Sequence, residues 1–231
     1  MVTSEIPKLL ANEPTTDDIG SSMTTCFHQP VNRMPPPELL EDMGFDFTEF
    51  AESYASSLVE AIENLPVPRL EEFWKLVENA RDSGATVHFI GNGGSAGTPS
   101  HSAGDWSKEL TLRTISHSDN SSSLTAWAND TDYGNVFVGQ LSTFIKPGDL
   151  VVGFSGSGNS ANVINGIEFS KEKGCNTVAI TGNYRGLGGG KLAEIAELCI
   201  LVPSQSMERI EDMQLIINHI IKEAVKSNNG L

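Results

Sequence analysis

The sequence predicts an α/β protein built on a doubly wound parallel sheet flanked by helices. Three observations carry that prediction. From Gly84 onward, short apolar runs suited to strands alternate with stretches of helical spacing, the pattern of a parallel sheet covered on both faces. Two of the strand-like runs end in glycine- and serine-rich turns just before a helix, at residues 91–95 and 155–160. The 231 residues, 39% of them hydrophobic, suffice for one sizeable domain with appendages.

Residues 1–45 are rich in Thr, Ser, Asp and Pro, include Pro35-Pro36-Pro37 and carry no sustained period. They read as an arm, flexible or loosely docked, ahead of a single domain over 46–231. Between 50 and 65, Ala51, Tyr54, Ala55, Leu58, Ile62 and Leu65 follow helical spacing, and Pro66 and Pro68 are expected to end that helix. A second helix places Leu70, Phe73, Trp74 and Val77 on one face. The alternation then predicts strand 86–90, helix 95–109, strand 112–116, a helical stretch over 124–144 and strand 150–154. Helix 161–173, strands 176–181 and 198–202, and a final helix over 207–226 complete it.

Thirty acidic residues against fifteen basic ones give a formal charge of −15. That balance argues against nucleic acid or an anionic membrane as a partner. It leaves a small phosphorylated ligand open, because backbone amides at a helix N-terminus hold phosphate without Lys or Arg. Cys26, Cys175 and Cys199 lack metal-type spacing, and the last two sit in apolar runs. All three read as buried small hydrophobes in a reducing compartment. With no signal-type apolar core near Glu5 and no apolar run approaching about 20 residues, a cytoplasmic protein is expected.

Gly91-Asn92-Gly93-Gly94-Ser95 joins a strand to a helix, and such a junction aims amides and a hydroxyl at an anion. Ser155-Gly156-Ser157-Gly158-Asn159-Ser160 does the same with three hydroxyls, which suits a tetrahedral group with several acceptors. Glycines also simply turn a chain. A sharper alternative is a dinucleotide fingerprint in Gly91-x-Gly93-x-x-Ala96 with Asp119 as ribose ligand, but it leaves the serine loop without a role.

His101 and Asp105 are four apart on the helix opened by the first loop and can meet at one ion or one proton. Glu211 and His219 share a face of the last helix, and two His with two carboxylates suit a zinc-like ion. Eight residues separate Glu211 from His219 by about 12 Å along the axis. Either both lean inward, or Glu211 touches the substrate, or the final helix serves a neighbouring subunit. A His–Asp pair at this spacing is also an ordinary solvated pair, and His28, His88 and His117 read as surface or satisfied histidines.

Together, Gly91-Asn92-Gly93-Gly94-Ser95-Ala96 with His101, Thr125-Ala126-Trp127-Ala128-Asn129-Asp130, the loop Ser155–Ser160 running into Ala161-Asn162-Val163, and Arg209-Ile210-Glu211 with His219 resemble the phosphoheptose isomerases of the sugar isomerase (SIS) family. The resemblance spans about residues 50–226. It implies a SIS fold whose leading helices pack in an oligomer, a homotetramer with active sites between subunits. It implies an aldose–ketose isomerase acting on sedoheptulose 7-phosphate. On it, Ser155, Gly156, Ser157 and Ser160 hold the phosphate, and Asn92, Gly93, Gly94, Ser95, Asn129, Asp130 and Glu211 line the sugar. His101, Asp105, Glu211 and His219 fall where the family has its metal and acid–base residues, with one zinc per subunit and with Asp105 and His219 as the catalytic pair. Better-known members carry Glu at the position of Asp105 and Gln at that of Glu211. They also have an Arg-rich loop that the segment 108–130 lacks, which leaves Lys108 as the nearest cation for the phosphate. A non-catalytic SIS module, binding a protein or sensing a sugar phosphate, is the alternative.

Overall fold

The computed structural model describes residues 44–231. The expectations for residues 1–45, Cys26 and His28 therefore lie outside the described residues, save for Gly44 and Phe45. Helix α1 (Phe47–Glu63) stops two residues before Leu65, which turns into the core. Pro66 stands at the N-cap of α2 (Val67–Ser83) and Pro68 in its first turn. A missing N–H costs nothing there, so the prolines start the second helix instead of ending the first.

Five strands form one parallel sheet in the order β2-β1-β3-β4-β5: β1 (Thr86–Gly91), β2 (Arg113–Ser116), β3 (Leu150–Ser155), β4 (Asn176–Gly182) and β5 (Leu198–Val202). Strands β1 and β3 are buried throughout, as strands covered on both faces must be. Val87, Phe89, Val152, Phe154, Val178 and Ile180 alternate toward one face, where α2, α3 (Gly94–Leu110) and α8 (Met207–Asn229) pack. Trp106 of α3 lies edge-on to Phe89, ring centroids 5.3 Å apart. Ile90, Val151 and Ala179 point the other way, toward α5 (Val136–Phe144) and α6 (Ala161–Glu172).

The helical stretch expected over 124–144 is two helices. α4 (Ser121–Asp130) ends where Thr131 takes φ −133°, ψ −97°, and Asp132 caps a short 3-10 turn before α5 by accepting from the Gly134 amide at 2.6 Å. A six-residue helix, α7 (Gly190–Ile195), was not anticipated because it follows a glycine run. His88 and His117, read as surface or satisfied histidines, are buried and satisfied in one chain: His88 Nδ1 lies 3.0 Å from His117 Nε2, and His88 Nε2 lies 3.3 Å from Asp149 Oδ2. Cys175 is buried and Cys199 only half-buried, both free. Among the described residues no helix is long and apolar enough to cross a membrane.

The strand order places the switch point between β1 and β3, where connections leave in opposite directions and open a crevice at the carboxyl ends. Gly91 pairs with Phe154, so the two glycine–serine loops leave the sheet side by side.

Candidate active site

The loops after β1 and β3 flank a cleft of about 220 Å³ lined by Asn92, Ser95, Ser155, Gly156, Ser157, Ser160, Met207 and Glu211. Gly93 takes φ 58°, ψ −128°, a region closed to side chains, and so aims the chain into α3. Ser155 Oγ lies 3.1 Å from Ser160 Oγ and accepts from the Gly158 amide at 3.1 Å. Ser160 occupies the N-cap of α6, yet its hydroxyl turns to Ser155 and not to the helix. These hydroxyls converge at a positive helix end, which is the chemistry that holds a phosphate. Helix α7 braces the loop from outside, through Lys191 N to Asn159 Oδ1 (3.0 Å) and Leu192 N to Gly158 O (3.0 Å).

Asn92 and Asn162 exchange two amide hydrogen bonds of 2.8 Å, and the Tyr133 hydroxyl donates to Asn92 Oδ1 at 2.9 Å. Neither Tyr133 nor Asn162 was singled out as a site residue. Their role depends on the α5–α6 side meeting the first loop, which no local spacing encodes.

Helices α3 and α8 run side by side in the same direction, and their facing residues form a ladder. Glu211 stands opposite Gly94, Gln214 accepts from Ser95 Oγ (2.8 Å), and His219 Nε2 lies 3.1 Å from His101 Nε2. Lys222 Nζ then lies 3.1 Å from Asp105 Oδ2, and Lys226 Nζ 2.8 Å from Glu109 Oε2. His101, Asp105 and His219 offer ligand atoms that all lie within 4.8 Å of one another. Glu211 is not in that group, because the ladder sets it two helical turns away, against Gly94 and in the serine-loop cleft.

Two imidazole nitrogens and a carboxylate are donors that fit a zinc-type ion. The separations of 3.1 Å between the imidazoles and 3.3 Å from His101 Nε2 to Asp105 Oδ2 agree with the roughly 3.3 Å between ligands on a tetrahedral ion with bonds of about 2 Å. The hydrogen bond from Lys222 holds the Asp105 carboxyl below its usual range, against partial burial, with His101 adding in the same direction. Burial pushes the Glu211 carboxyl up, and the nearby charges of Glu208 and Asp212 add to it.

Asn129 and Asp130 are exposed at the end of α4, and Asp130 borders a separate hollow of about 180 Å³ beside Trp127. The structure does not bring them to the serine-loop cleft of their own chain. Lys108 lies fourteen residues along α3 from Gly94, about 20 Å, so within one chain it cannot neutralise a phosphate at that loop. Asp119 accepts from Ser116 Oγ at 3.0 Å.

Comparison with known proteins agrees with this architecture. The SIS domain model matches residues 49–182. A probable phosphoheptose isomerase of Thermoplasma volcanium is 38% identical over 172 residues, 72% of this chain and 86% of that protein. A phosphoheptose isomerase of Rhodospirillum rubrum is 39% identical over 159 residues, 67% of this chain and 82% of that protein. The solved phosphoheptose isomerase of Neisseria gonorrhoeae superposes with a TM-score of 0.74 at 26% identity, covering 79% of this chain and all of that one. These matches leave the dinucleotide alternative without support. The chain belongs to the SIS domain family, in which it stands beside the phosphoheptose isomerases as an aldose–ketose isomerase.

Proposed function

We propose that the chain interconverts sedoheptulose 7-phosphate and an aldoheptose 7-phosphate of the D-glycero-manno-heptose type, through a metal-assisted enediol. The observation that carries the reading is the arrangement of a hydroxyl-rich phosphate loop and a proton-transfer cluster along one pair of helices. About 12 Å along α8 separates Glu211, beside the loop, from His219 in the cluster, a gap that suits a seven-carbon sugar and not a triose.

Ser155, Ser157 and Ser160 hold the phosphate with the amides opening α6. Asn92, Gly93, Gly94 and Ser95 line the sugar, and Glu211 accepts from its hydroxyls. His101, Asp105 and His219 would hold a zinc ion, one per subunit, which would supply Lewis acidity to the sugar carbonyl. Asp105 and His219 share the proton transfers: one proton leaves C1 of the ketose, the enediol forms, and a proton returns to C2.

The reading includes a cytoplasmic homotetramer with active sites between subunits. It is supported by the exposed apolar side chains of Val59, Ile62, Val67 and Ile220 on α1, α2 and α8, and by Asn129 and Asp130, which a neighbour's cleft can receive. Proton NMR with sedoheptulose 7-phosphate in deuterated water, with and without chelator, tests it. Deuterium at C2 of an aldoheptose product is the expected result; saturable binding without exchange rejects the reading in favour of a sensor.

A further inference from the structure

One charge beside the proposed metal cluster has no part in the reaction as described. Lys222 lies on α8 one turn past His219 and is only 8% exposed. Its ammonium is 3.1 Å from Asp105 Oδ2 and 3.6 Å from Glu109 Oε2. Lys226, one turn further on, takes the same Glu109 oxygen at 2.8 Å. Glu223 Oε1 also lies 3.6 Å from Lys222 and 3.8 Å from Lys226, so three carboxylates share two ammonium groups, and Asp105, with the shorter contact to Lys222, has a cation partner before any ion arrives.

The contested atom is Asp105 Oδ2. It is the oxygen that faces His101 Nε2 at 3.3 Å, and so the one turned toward the imidazole pair. A carboxylate oxygen that accepts from a buried ammonium has less electron density to offer a cation, and the ammonium repels a divalent ion through a medium less polar than water. Glu109 offers the ammonium a second seat on the same helix, one turn away and already within 3.6 Å.

We propose that Lys222 is an internal competitor for the cation at His101, Asp105 and His219, and that a divalent ion enters as the ammonium shifts from Asp105 to Glu109. Lys222 acts through Asp105 and is a positioning residue, not a catalytic one. It holds Asp105 against α8 while the site is free of metal, and it makes the bound ion weaker and more exchangeable than the donor set alone dictates. The inference rests on the cation-site reading above.

The test is competition of the metal-free protein with a chromophoric chelator for zinc ion at fixed pH and ionic strength, so that affinity is read without turnover. Lys222→Met is expected to bind at least about tenfold more tightly than wild type. Lys222→Arg, which keeps the charge, and Lys226→Met, which removes a charge not in contact with Asp105, are expected to stay within about threefold. Glu109→Gln, which removes the second seat, is expected to weaken binding. Unchanged or weaker binding in Lys222→Met overturns the proposal, as does an equal gain in Lys226→Met, which reduces the effect to bulk charge. Should Lys222→Met fail to fold by circular dichroism, Lys222→Gln takes its place under the same criteria. His219→Ala separates the two readings. If it binds zinc like wild type, the cation site itself is wrong and Lys222 falls with it; if it loses zinc while Lys222→Met is unchanged, only the role of Lys222 is rejected.

Discussion

A methyl group on Gly94 would fall 2.3 Å from the Glu211 carboxylate, closer than real contacts allow, so one of the two has to move. What moves is the far end of a flexible glutamate, which costs the fold under about 1 kcal/mol but takes the carboxylate out of the cleft. Gly94→Ala is therefore expected to melt within about 4 °C of wild type, while kcat/KM for the proposed heptose phosphate falls at least about tenfold. A large drop in melting temperature with activity retained would mean that Glu211 does not serve the sugar. The proposed proton-transfer pair gives a sharper contrast. Asp105→Asn keeps the shape of the side chain and the contact with Lys222 but removes the proposed base, and His219→Ala removes its proposed partner. Each is expected to lower turnover by roughly 10² to 10⁴ with the circular dichroism spectrum unchanged. Near-normal isomerisation in either variant rejects the roles given to them.

Three strands are tied by a polar chain through an otherwise apolar layer. Asp149, at the start of β3, accepts from the Thr86 and Lys146 amides at 2.8 Å each and faces His88 of β1, which in turn faces His117 at the end of β2. A carboxylate at Nε2 of His88 fixes the tautomer: His88 donates to Asp149, and its Nδ1 accepts from His117 Nε2–H. Both rings are therefore neutral in the folded chain. Burial lowers the pKa of His117 to about 3, with repulsion from His88 whenever that ring is protonated acting in the same direction, and burial also lowers that of His88. Between about pH 3 and the unfolded value of 6.5 the unfolded chain binds more protons than the folded one, so stability falls as pH drops through that window. At pH 5 His117 alone accounts for about 2 kcal/mol. Urea midpoints at pH 7 and pH 5 measure the loss, and His117→Gln is expected to shrink it by about that amount. An equal loss in wild type and variant would place its origin elsewhere.

The sheet and its order of layers were legible because buried parallel strands are continuous apolar runs, and because glycine and serine at 91–95 and 155–160 mark the two turns that meet at the switch point. His101 with Asp105 was legible from spacing within one helix. Lys222 and Gln214 were not, because their partners depend on the register of α3 against α8, set by Trp106, Ile217 and Ile221 packing under β1 and β3 and not by any local pattern. Helix α7 and the break at Thr131 escaped for a related reason, since six residues after a glycine run carry too little periodicity to read. The same limit applies to assembly, where exposure matters more than pattern. Ile62 (40% exposed) and Ile220 (39%) border an apolar hollow of about 440 Å³ between α1, α2 and α8, with Val67 (66%) at its edge. In the proposed assembly, covering that face favours association, whereas the net charge of −15 on each chain opposes it. The screening length falls from about 30 Å at 0.01 M salt to about 8 Å at 0.15 M, so the assembly is expected to tighten as salt is added. Light scattering is expected to give a tetramer at 0.15 M salt and smaller species at 0.01 M. Ile220→Glu places a charge in the hollow and is expected to dissociate the proposed assembly at both, with turnover falling alongside mass if the sites lie between subunits as proposed. A variant of reduced mass that keeps full turnover would show that each chain completes its own site.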